Sequence, residues 1–312
     1  MLGSRPIRLT LNWENTSNFP RFRNKDNRVY IMMTISVLMS VYKNERSECL
    51  DEALASVWTA QTVKPQQIVL VEDGPLTDGL YETIEKWKRE LGDVLLVLAN
   101  VQNLGLTKSL NIGLSHVTSD LVARMDSDDI SMPKRFEMQV KYLEDHPDVS
   151  VVGGAMQEFN SENPCVNVRH YPRTHADVLR SIYKACPIAH PTVMMRMSMF
   201  REGGLRYDER FRTSQDIALW YDAVCAGYKI ANLDEVTFRF RLANDMFKRR
   251  SRAKAWNEFR IYMSGVRRLY GLFTPKYVYP ISRLVFRLMP VKVVKMIYGS
   301  NLRTRIVENK SK

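Results

Sequence analysis

The sequence predicts an α/β fold: an open, mostly parallel central sheet flanked by helices, then a basic helical C-terminal extension. Two patterns predict the sheet. Short, continuous apolar runs rich in β-branched residues alternate with segments whose apolar residues recur at helical spacing. Those runs lack polar alternation, as strands buried on both faces require. A third observation predicts the extension. Residues 1–240 hold 28 Lys and Arg against 31 Asp and Glu, whereas residues 241–312 hold 18 against 3.

Taken in order, residues 1–32 are polar, basic and aperiodic and read as a poorly ordered leader, with Met32 or Met33 a candidate natural start. ISVLMSVY (35–42) reads as the first buried strand. Ser47 is placed to cap a helix with Leu50, Leu54, Val57 and Trp58 on one face. IVLVED (68–73) is the second strand, ended by Gly74-Pro75; Leu80, Ile84, Trp87 and Leu91 mark a second helix. VLLVLAN (94–100) is the third strand, QNLGLT leads to a short helix from about Thr107, and LVARMD (121–126) is the fourth strand.

Beyond this point the pattern loosens. Pro133 is expected to open a helix with Phe136, Val140 and Leu143 inward, and VSVVGGAM (149–156) reads as a strand. Thr174 can cap a helix through Tyr183, and IAHPTVMM (188–195) reads as a strand. A helix after Ser214 turns Ile217, Trp220, Tyr221 and Val224 inward and stops at Gly227. The domain limits expected are thus a leader (1–32), a globular domain (33–245) and a basic amphipathic extension (246–312).

At 312 residues, 45% hydrophobic and 26% charged, the chain has ample core for a globular protein. Cys49, Cys165, Cys186 and Cys225 are scattered without a C-x-x-C pair, which argues against zinc or a disulfide framework and for a reducing compartment. No run of about 18 apolar residues offers a spanning helix, and no signal peptide is evident.

In open α/β sheets ligands bind beyond the carboxyl ends of the strands. Here those ends fall near Tyr42-Lys43-Asn44-Glu45, at Glu72-Asp73-Gly74, near Asn103-Leu104-Gly105, and at Asp126-Ser127-Asp128-Asp129. Clustered carboxylates repel one another unless a cation joins them, and hard oxygen ligands favour Mg²⁺ or Mn²⁺. The bland alternative is a helix cap: Asp128, Asp129 or Ser131 starting the helix near Pro133. Asp216, in the first turn of its helix, is either a base or a carboxylate placed to suit the helix dipole. Neither G-x-G-x-x-G after the first strand nor G-x-x-x-x-G-K-[ST] is present, which disfavours a dinucleotide fold or a P-loop ATPase.

In chain order, SVLMSVYKNE, IVLVEDG, NLGLTKSLNIGL, ARMDSDD followed by PKRFEMQ, Gly153-Gly154, AHPTVM and SQDIALW resemble glycosyltransferase family 2 over roughly residues 33–245. The likeness is to the bacterial capsule, exopolysaccharide and O-antigen branch. It implies a GT-A (Rossmann-like) fold and an inverting glycosyltransferase that takes a nucleotide-sugar, a UDP-sugar by preference. By position, Val41, Tyr42 and Glu45 would flank the nucleoside, and Asp73 would hydrogen-bond the uracil or ribose. Asn103, Gly105 and Lys108 would line the diphosphate. Arg124, Asp126 and Asp128 would form the D-x-D region, with Asp128 as direct ligand of Mg²⁺ or Mn²⁺ and Asp126 on the ribose or the metal's waters. Asp216 matches the general base, with Gln215 where the family usually has Glu. Arg241 matches an arginine that often precedes a histidine, a place held here by Ala243. His190 would contact acceptor or diphosphate, or be a hydrogen-bonded histidine at a strand end. No Q-x-x-R-W motif is present, which points to one sugar per encounter.

The basic tail interleaves Lys and Arg with Trp256, Tyr262, Tyr270, Phe273, Tyr277, Tyr279, Phe286 and Tyr298, a composition suited to an anionic membrane surface. A nucleic-acid partner shares that chemistry, but the body of the chain has no evident use for one, and none is expected. The implied acceptor is a lipid-linked oligosaccharide or other saccharide, met at the cytoplasmic, inner face of the cell membrane. Two alternatives stand beside this reading: a metal-dependent nucleotidyltransferase, and a non-enzymatic membrane- or RNA-associated module.

Overall fold

The computed structural model describes residues 33–242 and 252–289, with two short strands before them, β1 (Arg21–Arg23) and β2 (Val29–Ile31), paired antiparallel within the segment read as a leader. Ala243 and the extension's residues 243–251 and 290–312 lie outside the described residues.

The first half follows its hydrophobic pattern closely. β3 (Ile35–Val41), α1 (Ser47–Val57), β4 (Gln67–Glu72), α2 (Asp78–Leu91), β5 (Leu95–Ala99), α3 (Leu106–Leu114) and β6 (Leu121–Asp126) alternate as expected. A two-residue strand, β7 (Ile130–Ser131), precedes α4 (Arg135–Asp145), β8 (Val149–Phe159) and β9 (Asn167–Arg169). Then come α5 (His175–Ser181), β10 (Met194–Arg196), α6 (Ser198–Arg201), α7 (Gln215–Cys225), β11 (Lys229–Arg241), α8 (Arg252–Tyr270) and α9 (Val278–Leu288).

The main sheet has nine strands in the order β5-β4-β3-β6-β10-β8-β11-β7, with β9 on β8. β5, β4, β3 and β6 are parallel; β10 reverses direction between β6 and β8, while β8 and β11 run parallel to each other. Two apolar layers flank the sheet. One packs Leu50, Leu54, Leu80, Trp87 and Phe136 on its first face, and the other packs Leu110, Ile217, Trp220 and Tyr262 on its second. This is the expected GT-A-like, mostly parallel sheet, with β3 and β6 side by side in its interior.

Several local expectations are corrected. The run 188–195 is not one strand: His190–Thr192 forms a 3₁₀ turn and only Met194–Arg196 pairs. Pro191 explains it, since its fixed φ and missing N–H interrupt a ladder. The helix after Pro133 begins at Arg135, and no side chain caps it. Ser131 instead sits in β7, facing Phe238 of β11, and its N–H donates to Ser56 Oγ at 3.0 Å. Ser47 is the first helical residue of α1 rather than its cap. Thr174 does cap α5, accepting from Asp177 N.

The described part of the extension packs on the body. α8 lies against α7, with Gly265 so close to the Tyr221 ring that a Cβ there would stand 2.2 Å from it. Tyr221 and Tyr262 meet edge to face at 5.8 Å.

Candidate functional site

β6 runs beside β3 in register, Ser40 opposite Asp126, and so delivers its carboxylates to the sheet edge. Asp126, Asp128 and Asp129 each offer an oxygen, all within 4.8 Å of one another. Burial raises Asp128 to about 6, helped by Asp126 and Glu45. Burial also pushes Asp129 well above the carboxylate range, and Asp126 and Asp128 add to the rise. Asp129 Oδ2 is buried with no partner among the described residues. A close, all-oxygen set whose members repel one another fits a hard divalent cation.

The cap alternative fails on geometry. Asp129 Oδ1 accepts from the Arg241 N–H at 2.7 Å, and Arg241 Nε donates to the Asp128 carbonyl at 2.8 Å. The cluster is thus fastened to the end of β11, not to α4. Arg241, known from sequence only by position, acquires this role from its backbone as much as its side chain.

Arg124 lies beneath the cluster, 2% exposed, with one nitrogen on Asp126 Oδ1. Its Nε and Nη1 are buried with no partner among the described residues. Its charge acts on Asp128, Asp129, Asp216 and His190 together, lowering each. His190 is buried against Tyr207, its Nε2 2.7 Å from the Tyr207 hydroxyl, and burial then Arg124 hold it well below the usual imidazole value. It is therefore neutral at pH 7 and exchanges a hydrogen bond with Tyr207 rather than carrying charge.

Asp216 occupies the first turn of α7. Ser214 before it adopts φ 65°, the sole positive φ outside glycine among the described residues. Such a conformation persists only where its surroundings enforce it. Ser214 Oγ does not cap the helix; it donates to Glu258 of α8 at 3.4 Å. Burial raises Asp216, and the Ile217 N–H and Arg124 partly offset this. The Cys186 thiol points at Asp216 Oδ2 from 4.0 Å. A carboxylate with raised proton affinity, close to a buried cation, has the properties of a general base.

A second group surrounds the end of β4. Asp73 accepts from Leu104 N at 2.8 Å, from Gly105 N at 3.0 Å and from Asn103 Nδ2 at 2.9 Å. Its carboxylate therefore holds the Asn103–Gly105 loop in place. Gly74, at φ 88°, allows this approach, since a Cβ there would lie 2.6 Å from Asn103 N. Val41 is fully buried in the core and its carbonyl accepts from Asp73 N, so its share in the crevice is confined to its backbone. Tyr42 and Lys108 are exposed at the rim. Glu45, Cys49, Asp128, Ser161 and Arg241 line a cleft of about 370 Å³.

Sequence reasoning overlooked several groups. Arg135, fully buried, donates to the Arg124 carbonyl at 2.8 Å and the Val193 carbonyl at 3.1 Å, fixing β6 from below. Gln139 ties Val152 and Thr192 in the same way. Tyr207 partners His190, and Arg212 lies 3.6 Å from where a Gly105 Cβ would stand. The one available signal was a charged Arg135 on the apolar face of its helix.

A mixed, mostly parallel sheet with an acidic triad at its edge and a half-buried aspartate on a helix beyond it is the frame of a GT-A glycosyltransferase. Comparison with known proteins agrees. Residues 36–204 match the model of "Glycosyl transferase family 2". The amylovoran biosynthesis glycosyltransferase AmsE of Erwinia amylovora is 34% identical over 84% of this chain and 97% of its own. The UDP-Gal:alpha-D-GlcNAc-diphosphoundecaprenol beta-1,3-galactosyltransferase of Escherichia coli is 28% identical over 86% of this chain and 96% of its own. The crystal structure of S. aureus TarS 1–349 in complex with UDP-GlcNAc shares the fold, with a TM-score of 0.59 at 18% identity over 86% of this chain and 74% of that one. The chain belongs to glycosyltransferase family 2. It is a glycosyltransferase, and the nucleotidyltransferase and non-enzymatic alternatives are set aside.

Proposed function

We propose that the protein transfers one sugar per encounter from a UDP-sugar to a hydroxyl of a lipid-linked or other saccharide acceptor, with inversion, in bacterial surface polysaccharide synthesis. The observation that carries this reading is the acidic triad, Asp126, Asp128 and Asp129, whose oxygens lie within 4.8 Å of one another at the sheet edge with the buried Arg124 guanidinium on Asp126.

Asp216 takes the proton of the acceptor hydroxyl as that oxygen attacks the anomeric carbon from the face opposite the diphosphate, a contribution of roughly 10²–10⁴-fold. A Mg²⁺ or Mn²⁺ ion held by Asp128 and Asp126, when bound, offsets charge on the departing diphosphate. Tyr42, Glu45 and the Val41 backbone border the nucleoside. Asp73 holds the Asn103–Gly105 loop against the nucleotide, with Lys108 toward the diphosphate. Neutral His190 offers a hydrogen bond, not a charge. The named acceptor of the Escherichia coli relative, a diphosphoundecaprenol-linked sugar, supports a lipid-linked acceptor here. The tail's basic excess supports work at an anionic membrane, peripheral to its cytoplasmic face.

Isothermal titration of UDP with and without Mn²⁺ tests the first half; metal-independent or absent binding would remove it. Asp216→Asn tests the second, with transfer abolished and UDP binding kept. Loss of both would mean that Asp216 serves the nucleotide.

A further inference from the structure

α9 is built inside out. At 3.6 residues per turn, Val278, Ile281, Val285 and Leu288 fall within about 80° of one another. All four face solvent, at 63%, 48%, 51% and 48% exposure. The arginines of the same helix turn the other way. Arg283 Nε and Arg287 Nη2 reach the buried carboxylate of Glu258 on α8 at 3.2 and 3.1 Å. A helix on a water-facing surface ordinarily does the reverse. The turn before it adds Leu272 and a wholly exposed Phe273 to the same end of the arm.

We propose that this outward face of α9, with the Leu272–Phe273 turn, is the surface by which the protein docks on an anionic lipid bilayer. The proposal rests on the lipid-linked acceptor put forward above. Charge selects the occupant: residues 252–289 hold eight Lys and Arg against one acid, Glu258, which the two α9 arginines already engage. An apolar outer face on a segment with so large a basic excess matches an interfacial helix at anionic headgroups, although Arg268 is paired with Asp222 of the body. No helix among the described residues is long and apolar enough to cross a membrane, so the contact lies along the surface. Glu258 also accepts from Ser214 Oγ, next to the turn that carries Asp216. The docking helix and the candidate base are therefore joined through one buried carboxylate.

Flotation of the full chain with vesicles of phosphatidylglycerol and phosphatidylethanolamine, against phosphatidylcholine alone, tests the proposal. The parent is expected to float with the anionic vesicles only. The triple variant Phe273→Ser, Ile281→Ser, Val285→Ser, at exposed positions that folding does not need, should lose at least about tenfold in binding. Its lipid-free UDP binding should stay unchanged. A parent that does not float, or a triple variant that floats like the parent, overturns the assignment. So does a parent dimer by light scattering that the triple variant converts to monomer, since the face would then cover a second copy. Truncation after Met289 should leave flotation in place; its loss there would assign docking to residues 290–312. UDP binding is read separately, so failure of the glycosyltransferase mechanism would not be mistaken for failure of docking.

Discussion

Arg124 and Asp126 stand two residues apart on β6, and the period-two geometry of a strand puts both side chains on one face, where they form an ion pair. The guanidinium is buried at 3% side-chain exposure and the carboxylate is partly open at 29%. One cation thus sits under three carboxylates and spreads its charge among them. Two of its nitrogens keep donors free of partners among the described residues.

Removing this cation should cost more than removing any one carboxylate. Arg124→Met leaves Asp126, Asp128 and Asp129 to repel one another without relief. Breaking a buried pair from one side costs about 3–5 kcal/mol. Thermal unfolding of the metal-free variant should show a clear drop in Tm. Added Mn²⁺ should recover part of it. An unchanged Tm would show that the pair is not formed in solution.

The stability of the metal-free protein should depend on pH through Asp128. Its folded-state pKa, about 6, lies above the ordinary carboxylate value of the unfolded chain. The folded state therefore binds the extra proton between those two values. Its penalty is complete above about pH 7 and shrinks as pH falls through 6. Asp128→Asn should raise the metal-free Tm at pH 7.5 by at least about 3 °C and by roughly half as much at pH 5, because the penalty disappears only below the unfolded-state value. Scanning fluorimetry at the two pH values reads the difference directly. With Mn²⁺ present the parent should gain at pH 7.5 and the variant should not.

Asp216 makes a separate pH prediction. Burial raises its proton affinity, so the base form is lost as pH falls, at a higher pH than for an exposed aspartate. kcat should decline on the acid side, while UDP affinity measured without acceptor should not follow that limb. Asp216→Asn should flatten the limb and reduce kcat by roughly 10²–10⁴-fold.

Gly74→Ala should damage the nucleotide side without touching the triad. Its Cβ would meet Asn103 N at 2.6 Å from a backbone held at φ 88°. The Asn103–Gly105 loop would have to shift away from Asp73. The expected result is a UDP affinity at least tenfold weaker, with a Tm loss of a few degrees. Asp73→Ala should reproduce both effects by the opposite route, stranding the Leu104 and Gly105 N–H groups.

The parallel half was legible because burial on both faces leaves a plain signature, and β3, β4, β5 and β6 follow it closely. The acidic cluster was legible for a similar reason, since three carboxylates after an apolar run have few explanations. What escaped were long-range pairings with no local trace. Asp129 bonds to Arg241 across 112 residues, and Asp73 to a loop 30 residues on. The 188–195 run misled because its apolar content outweighed the single Pro191. Arg135 left one trace, a charged residue on the apolar face of α4, and that trace does not say that the cation is buried and bonds two carbonyls.

β11 leaves the end of α7, just past Gly227, and finishes at Arg241, where it grips Asp128 and Asp129. It acts as a ruler between the helix of the candidate base and the acidic triad. Recombining this enzyme with a relative to change acceptor therefore has a natural rule for its seams. A crossover inside residues 229–241 that alters strand length would reset the spacing of both centres, whereas seams before Ser214 and after Leu242 would carry helix and ruler across as one cassette.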